Sequence, residues 1–294
     1  TWGGSPLSLD WFSLARERVV DIMGIEDWLG LNFMYVTDPC VSAAACDSIR
    51  RWVQGGGWLY GSCAAASRNE FNEAHAGLAD VFGLEPRIEV AVQAGRFDLR
   101  GALNDLKWLD QVRLGSGEAG FGALGVKVKL TPATAVVTGT FTDGTPAVLT
   151  NRFGQGAALC AATCPAVSYA KAARFVPAAL QERWPAPQRR FINATARLSG
   201  APRVVELSHP VVEAGVFDSP VGTALVLANF TYERIPQLEI ALAVKRTPTR
   251  LRSLEQGPLK FETGRPSRTL AAQGYGHMVR CIIPLGLNDI VLFE

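Results

Sequence analysis

Histidine is scarce in this sequence, with three in 294 residues. None of the six cysteines forms a CxxC pair. A structural zinc site needs several thiolate or imidazole ligands at recognisable spacing. The nearest approach is Cys160 and Cys164, four apart, but Pro165 and the β-like run around them argue against a helical metal face. No metal is therefore expected. No uninterrupted apolar run approaches the roughly 18 residues a membrane helix needs. Nor does a basic-then-apolar leader follow Thr1, so no signal peptide is read, and the expectation is a processed product or a piece of a longer chain. No charge of one sign is in excess: 29 Lys and Arg stand against 27 Asp and Glu, a net of +2. That balance excludes a general nucleic-acid binder and a polybasic membrane binder. Charged residues make up only 19%, below the usual share of about 25%. With 48% apolar residues, the chain has material for sizeable buried cores and is not disordered.

Six cysteines are far from the density of a disulfide scaffold, so reduced, buried thiols are expected. That favours the cytoplasm, with secretion after removal of a leader as the alternative. Two sequons, Asn193-Ala194-Thr195 and Asn229-Phe230-Thr231, carry little weight without a secretory signal. Gly154-Gln155-Gly156 is no phosphate loop, because no Lys-Ser/Thr pair or helix follows it. No cofactor is implied.

At roughly 150 residues per domain the length suggests about two domains. Residues 1–32 read as a loop, a short helix and a buried strand, Val19–Ile25, ending in Glu26-Asp27-Trp28. A second apolar strand, 33–38, stops at Pro39. Ser42 is a plausible N-cap for a helix in which Cys46, Ile49, Trp52 and Val53 recur at helical spacing. Gly55-Gly56-Gly57 ends that helix through a left-handed cap, and Trp58-Leu59-Tyr60 begins the next strand. Strand, helix and strand with short connections predict a parallel crossover, with Trp52 and Val53 facing the sheet. A polar loop, Ser67–Glu73, leads to a short helix, Ala76–Phe82, capped by Gly83.

From about residue 86 short alternating segments take over: 88–92, 126–130, 135–141, 147–150 and 157–162. Asp143-Gly144 is a strong hairpin signal. Residues 168–182 are alanine-rich and helical, and Pro185 and Pro187 mark a boundary. Beyond it, short strands with turn residues between them read as an antiparallel β-sandwich.

Three strings carry a family resemblance. They are Tyr35-Val-Thr-Asp-Pro39 with Ile49-Arg-Arg-Trp-Val53 and Gly55-Gly-Gly57; Asp143-Gly144-Thr-Pro146 with Gly154-Gln-Gly156; and the tail from Gly222 to Leu292. Together they resemble the C-terminal region of family 42 β-galactosidases: the trimerisation domain plus a small β-sandwich. The resemblance implies an α/β fold, a flavodoxin-like parallel sheet of the class I glutamine-amidotransferase type with a β insertion. It implies three segments: 1–32 as a remnant of a preceding β/α barrel or an N-terminal extension, 33–185 as the amidotransferase-like domain, and 186–294 as the sandwich. It implies a non-catalytic accessory or oligomerisation role in a glycoside hydrolase of carbohydrate metabolism, with self-association through the α/β domain. The module normally opens with one more strand and helix than this sequence has room for, so an exposed sheet edge is expected.

Cys63 follows Gly61-Ser62 at a strand end, where class I amidotransferases carry a nucleophilic cysteine. The family supplies His-Pro-Glu after a later strand; here Cys164-Pro165-Ala166 stands in its place, so a packed, unreactive thiol is the reading adopted. His75 is the one nearby alternative base. Glu70, with Arg68 and Asn69 beside it, follows the same strand end, where open α/β sheets bind ligands. A solvated loop or polar subunit contact is the simpler account. Glu26 could be a barrel carboxylate, but one barrel fragment cannot hold the pair that glycoside hydrolysis needs. Trp28 and Trp108 are candidate sugar-stacking rings, and a carbohydrate is a candidate ligand. A cysteine-dependent hydrolase using Cys63 and a carbohydrate-binding module remain the alternatives.

Overall fold

The computed structural model describes residues 32–86, 89–93, 106–115, 117, 120–173, 186–201, 203–209, 211–231 and 233–294. The expected barrel remnant over 1–32, with Glu26 and Trp28, lies outside them but for residue 32. The described chain forms two units, residues 32–172 with 186–201, and residues 203–294. Residues 186–201 thus cluster with the first unit, although the proline boundary at 185 pointed to the second.

In chain order the first unit contains β1 (Phe33–Val36), α1 (Ala43–Gln54), β2 (Trp58–Ser62), α2 (Ala79–Phe82), β3 (Glu89–Gln93), β4 (Trp108–Leu114), β5 (Phe121–Leu124), β6 (Val126–Lys129), β7 (Val136–Thr140), β8 (Pro146–Phe153), β9 (Gly156–Ala161), α3 (Pro165–Ala173), α4 (Ala186–Ile192) and α5 (Ala194–Leu198). Seven strands form one mixed sheet in the order β1-β2-β9-β8-β7-β4-β5. β1, β2 and β9 run parallel, with Phe33 opposite Trp58 and Trp58 opposite Ala157. From β9 onward every pairing is antiparallel. The segment expected as an insertion therefore extends the sheet, and β3 with β6 forms a separate two-stranded ladder.

The crossover from β1 to β2 follows the sequence closely. Ser42 caps α1, its hydroxyl accepting the Ala45 N–H at 3.2 Å. Cys46, Ile49 and Val53 are buried along one stripe. Two details differ from expectation. Gly55 is right-handed at the cap, and the left-handed turn falls on Gly56, at φ 120°. Trp52 is only half-buried; its ring lies over Gly57, where a Cβ would come within 2.3 Å of it. The glycine at 57 is thus required by packing, not by its own dihedral angle.

Successive residues of a strand face opposite sides of the sheet. On β2, Gly61 receives the Phe82 ring of α2, while Tyr60 packs edge-on against Phe191 of α4. Phe191 in turn stacks on Phe121 at 4.6 Å. Helices therefore cover both faces of β2, and all six residues of β9 are buried, as strands sandwiched between helices must be. Asn151, on β8, donates to the Val81 carbonyl at 3.0 Å and pins α2 to the sheet.

The second unit comprises β10 (Val205–Leu207), β11 (Val212–Ser219), β12 (Gly222–Asn229), β13 (Ile235–Val244), β14 (Leu251–Ser253), β15 (Gly257–Pro258), β16 (Glu262–Gly264), α6 (Arg268–Ala272), β17 (His277–Leu285) and β18 (Asn288–Phe293). Its sheets, β10-β13-β17-β16 and β11-β12-β18-β14-β15, are antiparallel throughout. Alternate residues of β12 are buried. Leu225, Leu227 and Val291 from one sheet share a core with Ile240, Leu242, Val279 and Ile283 from the other.

Candidate functional site

The carboxyl ends of β1, β2 and β9 lie side by side, and the chain segments leaving them converge there. The segment after β2 folds back along the one after β1. Ala66 N–H donates to the Asp38 carbonyl, Arg68 N–H to that of Pro39, and Val41 N–H to that of Arg68. This places Arg68, Asn69 and Glu70 at the strand ends, as the sequence led us to expect.

Their side chains, however, are engaged in holding their own loop. Arg68 Nη1 donates to the Asn72 carbonyl at 2.7 Å. Asn69 Oδ1 accepts the Phe71 and Glu73 N–H groups, and its amide donates to Glu73 Oε2 at 2.8 Å. This is an Asx turn closed by a side-chain clasp. Glu70 Oε2 accepts the Ala43 N–H at 3.3 Å, which satisfies one of the unpaired donors in the first turn of α1 and complements its dipole. Phe71 stands at the tip, 76% exposed. These hydrogen bonds make Arg68 a loop brace and Glu70 a helix cap.

Cys63 occupies the turn directly after β2 with φ 54°, a left-handed conformation that a residue with a Cβ adopts only where the surroundings enforce it. The enforcement is visible. Its N–H is shared between the carbonyls of Ala161 and Thr163, at 2.8 and 3.2 Å, so the turn is tied to the end of β9. The same tie brings its sulfur to 2.6 Å from that of Cys164. Burial, then the hydrogen bond and charge of Cys164, push the Cys63 thiol well above its ordinary value, with the Ala64 N–H opposing only in part. A nucleophilic cysteine needs the reverse, an environment that favours thiolate. Where the amidotransferase pattern places histidine, the neighbour of Cys63 is a second sulfur.

Cys160, on β9, is buried and pushed up to about 12 by burial alone. Cys46 and Cys281 are likewise buried, each pushed up to about 11 chiefly by burial. The sequence spacing sets Cys160 near Cys164 and gives no sign of the contact of Cys164 with Cys63. Both residues follow strand ends, and only the order β2-β9 in the sheet makes those ends neighbours. Among the described residues no group of three or more His, Cys, Asp and Glu is placed to hold a metal ion. No helix among them is long and apolar enough to cross a membrane.

Trp108, on β4, is 49% exposed with its ring lying across Gly122 of β5. It stands several strands away from the Cys63 turn in the same sheet. Both sequon asparagines are interior: Asn193 is 9% and Asn229 4% exposed. Asn229 Nδ2 bridges the carbonyls of Glu233 and Gly286, both at 2.7 Å, so it serves as a turn anchor and not as a glycan acceptor.

No family sequence model matches the chain, and no curated protein does. Solved structures do match. Over 97% of its length the chain follows Gan42B, a family 42 β-galactosidase from G. stearothermophilus, with a TM-score of 0.60 and 17% identity, covering 35% of that protein. Against the β-galactosidase of Rahnella sp. R3 the coverage is 93% of this chain and 36% of that one, with a TM-score of 0.58 and 17% identity. Against that of the Antarctic haloarchaeon Halorubrum lacusprofundi it is 98% and 35%, with a TM-score of 0.54 and 15% identity. At such identities the likeness is one of fold, and the chain spans about a third of the length of these enzymes. The resemblance read from residues 35–57, 143–156 and 222–292 is thereby met at the level of the fold: this chain is built like one third of a family 42 β-galactosidase.

Proposed function

We propose that the chain is a non-catalytic accessory and assembly region related to the C-terminal part of family 42 β-galactosidases, and that it serves carbohydrate metabolism. The observation that carries this reading is the fold match over nearly the whole chain to only about a third of each enzyme. On this reading the first unit is a shortened flavodoxin-like, amidotransferase-type module that associates with further copies of itself, and the second is its β-sandwich. A cytoplasmic setting accords with cysteines that stand reduced in the structure.

The state of the strand-end residues supports a non-catalytic role. Glu70 caps a helix, Arg68 and Asn69 brace a loop, and burial keeps Cys63 a thiol. Glycoside hydrolysis requires two carboxylates held on opposite sides of the scissile bond, and Glu70 has no such partner among its hydrogen-bonded neighbours.

One observation favours the cysteine-enzyme alternative: the left-handed turn at Cys63 has the strained strand-end form that nucleophiles use. The raised thiol pKa weighs against it. The test is twofold. Purified chain is assayed for nitrophenol release from a panel of aryl glycosides, the β-galactoside included, and its mass in solution is measured by light scattering. No turnover and a mass above that of one chain are expected. Turnover that disappears in Glu70→Gln or Glu26→Gln would overturn the non-catalytic reading, and a concentration-independent monomer would overturn the assembly role.

A further inference from the structure

We infer that Cys63 and Cys164 form a reversible disulfide, an oxidisable clasp across the carboxyl ends of β2 and β9. The two sulfurs are 2.6 Å apart, so closing to a bond of about 2.05 Å moves them by only about half an ångström. The backbone already holds both partners. Ser62 pairs with Ala161 in the parallel ladder, and the Cys63 N–H bonds to the carbonyls of Ala161 and Thr163, the latter adjacent to Cys164. Cys164 in turn starts α3, its carbonyl accepting the Val167 N–H. The left-handed turn at Cys63 leaves its sulfur against that of Cys164 at this helix start. The rest of the cysteines fall outside this arrangement. Cys40 is exposed, with its sulfur on Asn72 Oδ1 at 3.8 Å, and Cys46 and Cys281 are buried elsewhere. Cys160 is buried within β9, opposite Gly61.

Both residues of the pair keep part of their surface exposed. The chemistry is exchange with a low-molecular-weight disulfide. The Cys164 thiol loses its proton and its thiolate attacks one sulfur of that disulfide, forming a mixed disulfide and expelling one small thiolate. Cys63 then gives up its proton and attacks the Cys164 sulfur. The protein disulfide closes and the second small thiolate leaves. The two protons released neutralise the two small thiolates, so two protein thiols and one small disulfide become one protein disulfide and two small thiols.

The product joins the segments that follow β2 and β9 and closes a loop of about a hundred residues. Such a crosslink chiefly restricts the unfolded chain. Because the ends are already neighbours, the folded state accepts it with only the small shift of the sulfurs. The clasp is independent of the proposed enzyme parentage.

The experiment uses the full chain, with Cys40→Ser introduced to silence the exposed thiol. Reduced protein is equilibrated with glutathione disulfide, quenched with an alkylating agent and mapped by peptide mass spectrometry without reduction. Expected are a Cys63–Cys164 linked peptide, loss of two alkylatable thiols, a melting midpoint raised by roughly 10 °C, and full reversal by dithiothreitol. The rise should vanish in Cys164→Ser. If that variant does not fold, the peptide map of the parent decides alone. Thiols at 63 and 164 that still alkylate after equilibration, glutathione adducts that never close, or a crosslink through Cys160 would each overturn the assignment.

Discussion

Lys127→Met tests a largely enclosed ionic cluster of the first unit. Lys127 Nζ lies 2.8 Å from Asp110 Oδ2 and 2.7 Å from Asp143 Oδ2, with the Phe141 ring 4.3 Å away. The cluster joins β4, β6 and the Asp143-Gly144 hairpin between β7 and β8. The Lys127 and Asp110 side chains are 14% and 7% exposed, but Asp143 is 51% exposed. Methionine keeps most of the apolar stem and removes the cation. Deleting one partner of a fully buried pair costs about 3–5 kcal/mol. Here Asp110 keeps the Gln111 and Thr142 N–H groups and the Thr142 hydroxyl, and one end of the cluster meets water. A loss of about 2 kcal/mol is therefore expected, a fall of roughly 4–8 °C in melting midpoint for a unit of this size. Urea unfolding followed by tryptophan emission measures it, since residues 203–294 contain no tryptophan. Adding Asp110→Asn should recover about 1 kcal/mol, because the carboxylate left without its partner is then gone. The acid profile supplies a second reading. Burial by itself would raise the Asp110 pKa, but hydrogen bonds from Lys127 and Thr142 prevail and hold it well below the usual carboxylate range. A depressed folded-state pKa gives stability that is present above the unfolded value of about 3.9 and is lost as pH falls through the folded one. The advantage of wild type over Lys127→Met should thus shrink steadily below about pH 5. A loss under about 0.5 kcal/mol, the scale of an exposed pair, together with parallel acid profiles, would refute this account.

Gly57→Ala should destabilise the first unit by about 1–3 kcal/mol, because the new Cβ meets the Trp52 ring at 2.3 Å; Trp52→Leu in the same chain should restore much of it, as read from urea midpoints. Asn229→Ala removes two hydrogen bonds to backbone carbonyls inside the sandwich and should cost about 2 kcal/mol by calorimetry of the second unit. Expression in a glycosylating host should leave Asn229 unmodified by intact-mass measurement, and a glycan there would contradict its burial. Glu70→Ala should cost only a few tenths to 1 kcal/mol, the range of an exposed helix-end charge, and a larger loss would mean that Glu70 does more than cap α1.

The sequence was most legible where one element satisfies its own local rules. Ser42 as a cap, the buried stripe Cys46, Ile49 and Val53, and the Asp143-Gly144 turn all follow from neighbours a few residues apart. The parallel pairing of β1 with β2 followed from the short crossover. β4 and β5 are not legible, because Trp108–Leu114 alternates poorly: an exposed tryptophan and an enclosed aspartate, Asp110, blur the period-two pattern. The helix Arg268–Ala272 was too short to show a periodic face.

At the candidate site the residue types were visible and their use was not. Glu70 on a helix end and Asn69 in an Asx turn look, in sequence, like any polar residues after a strand. Whether they face a ligand or their own loop depends on backbone donors contributed by residues up to 27 positions away, such as the Ala43 N–H. The family resemblance marked Cys63 and the Cys164-Pro165-Ala166 string, and so named both members of the pair without joining them. Local pattern determined α1, the Asp143-Gly144 turn and the antiparallel strands of the second unit, because those depend on side-chain periods and on glycine and proline within a few residues; α4 and α5, beyond the proline boundary, were not legible in it. The tertiary structure alone decided that β9 returns beside β2, which sets two sulfurs 101 residues apart in contact. Contacts at that separation arise from strand order, and strand order follows from burial of the whole sheet and from no single segment.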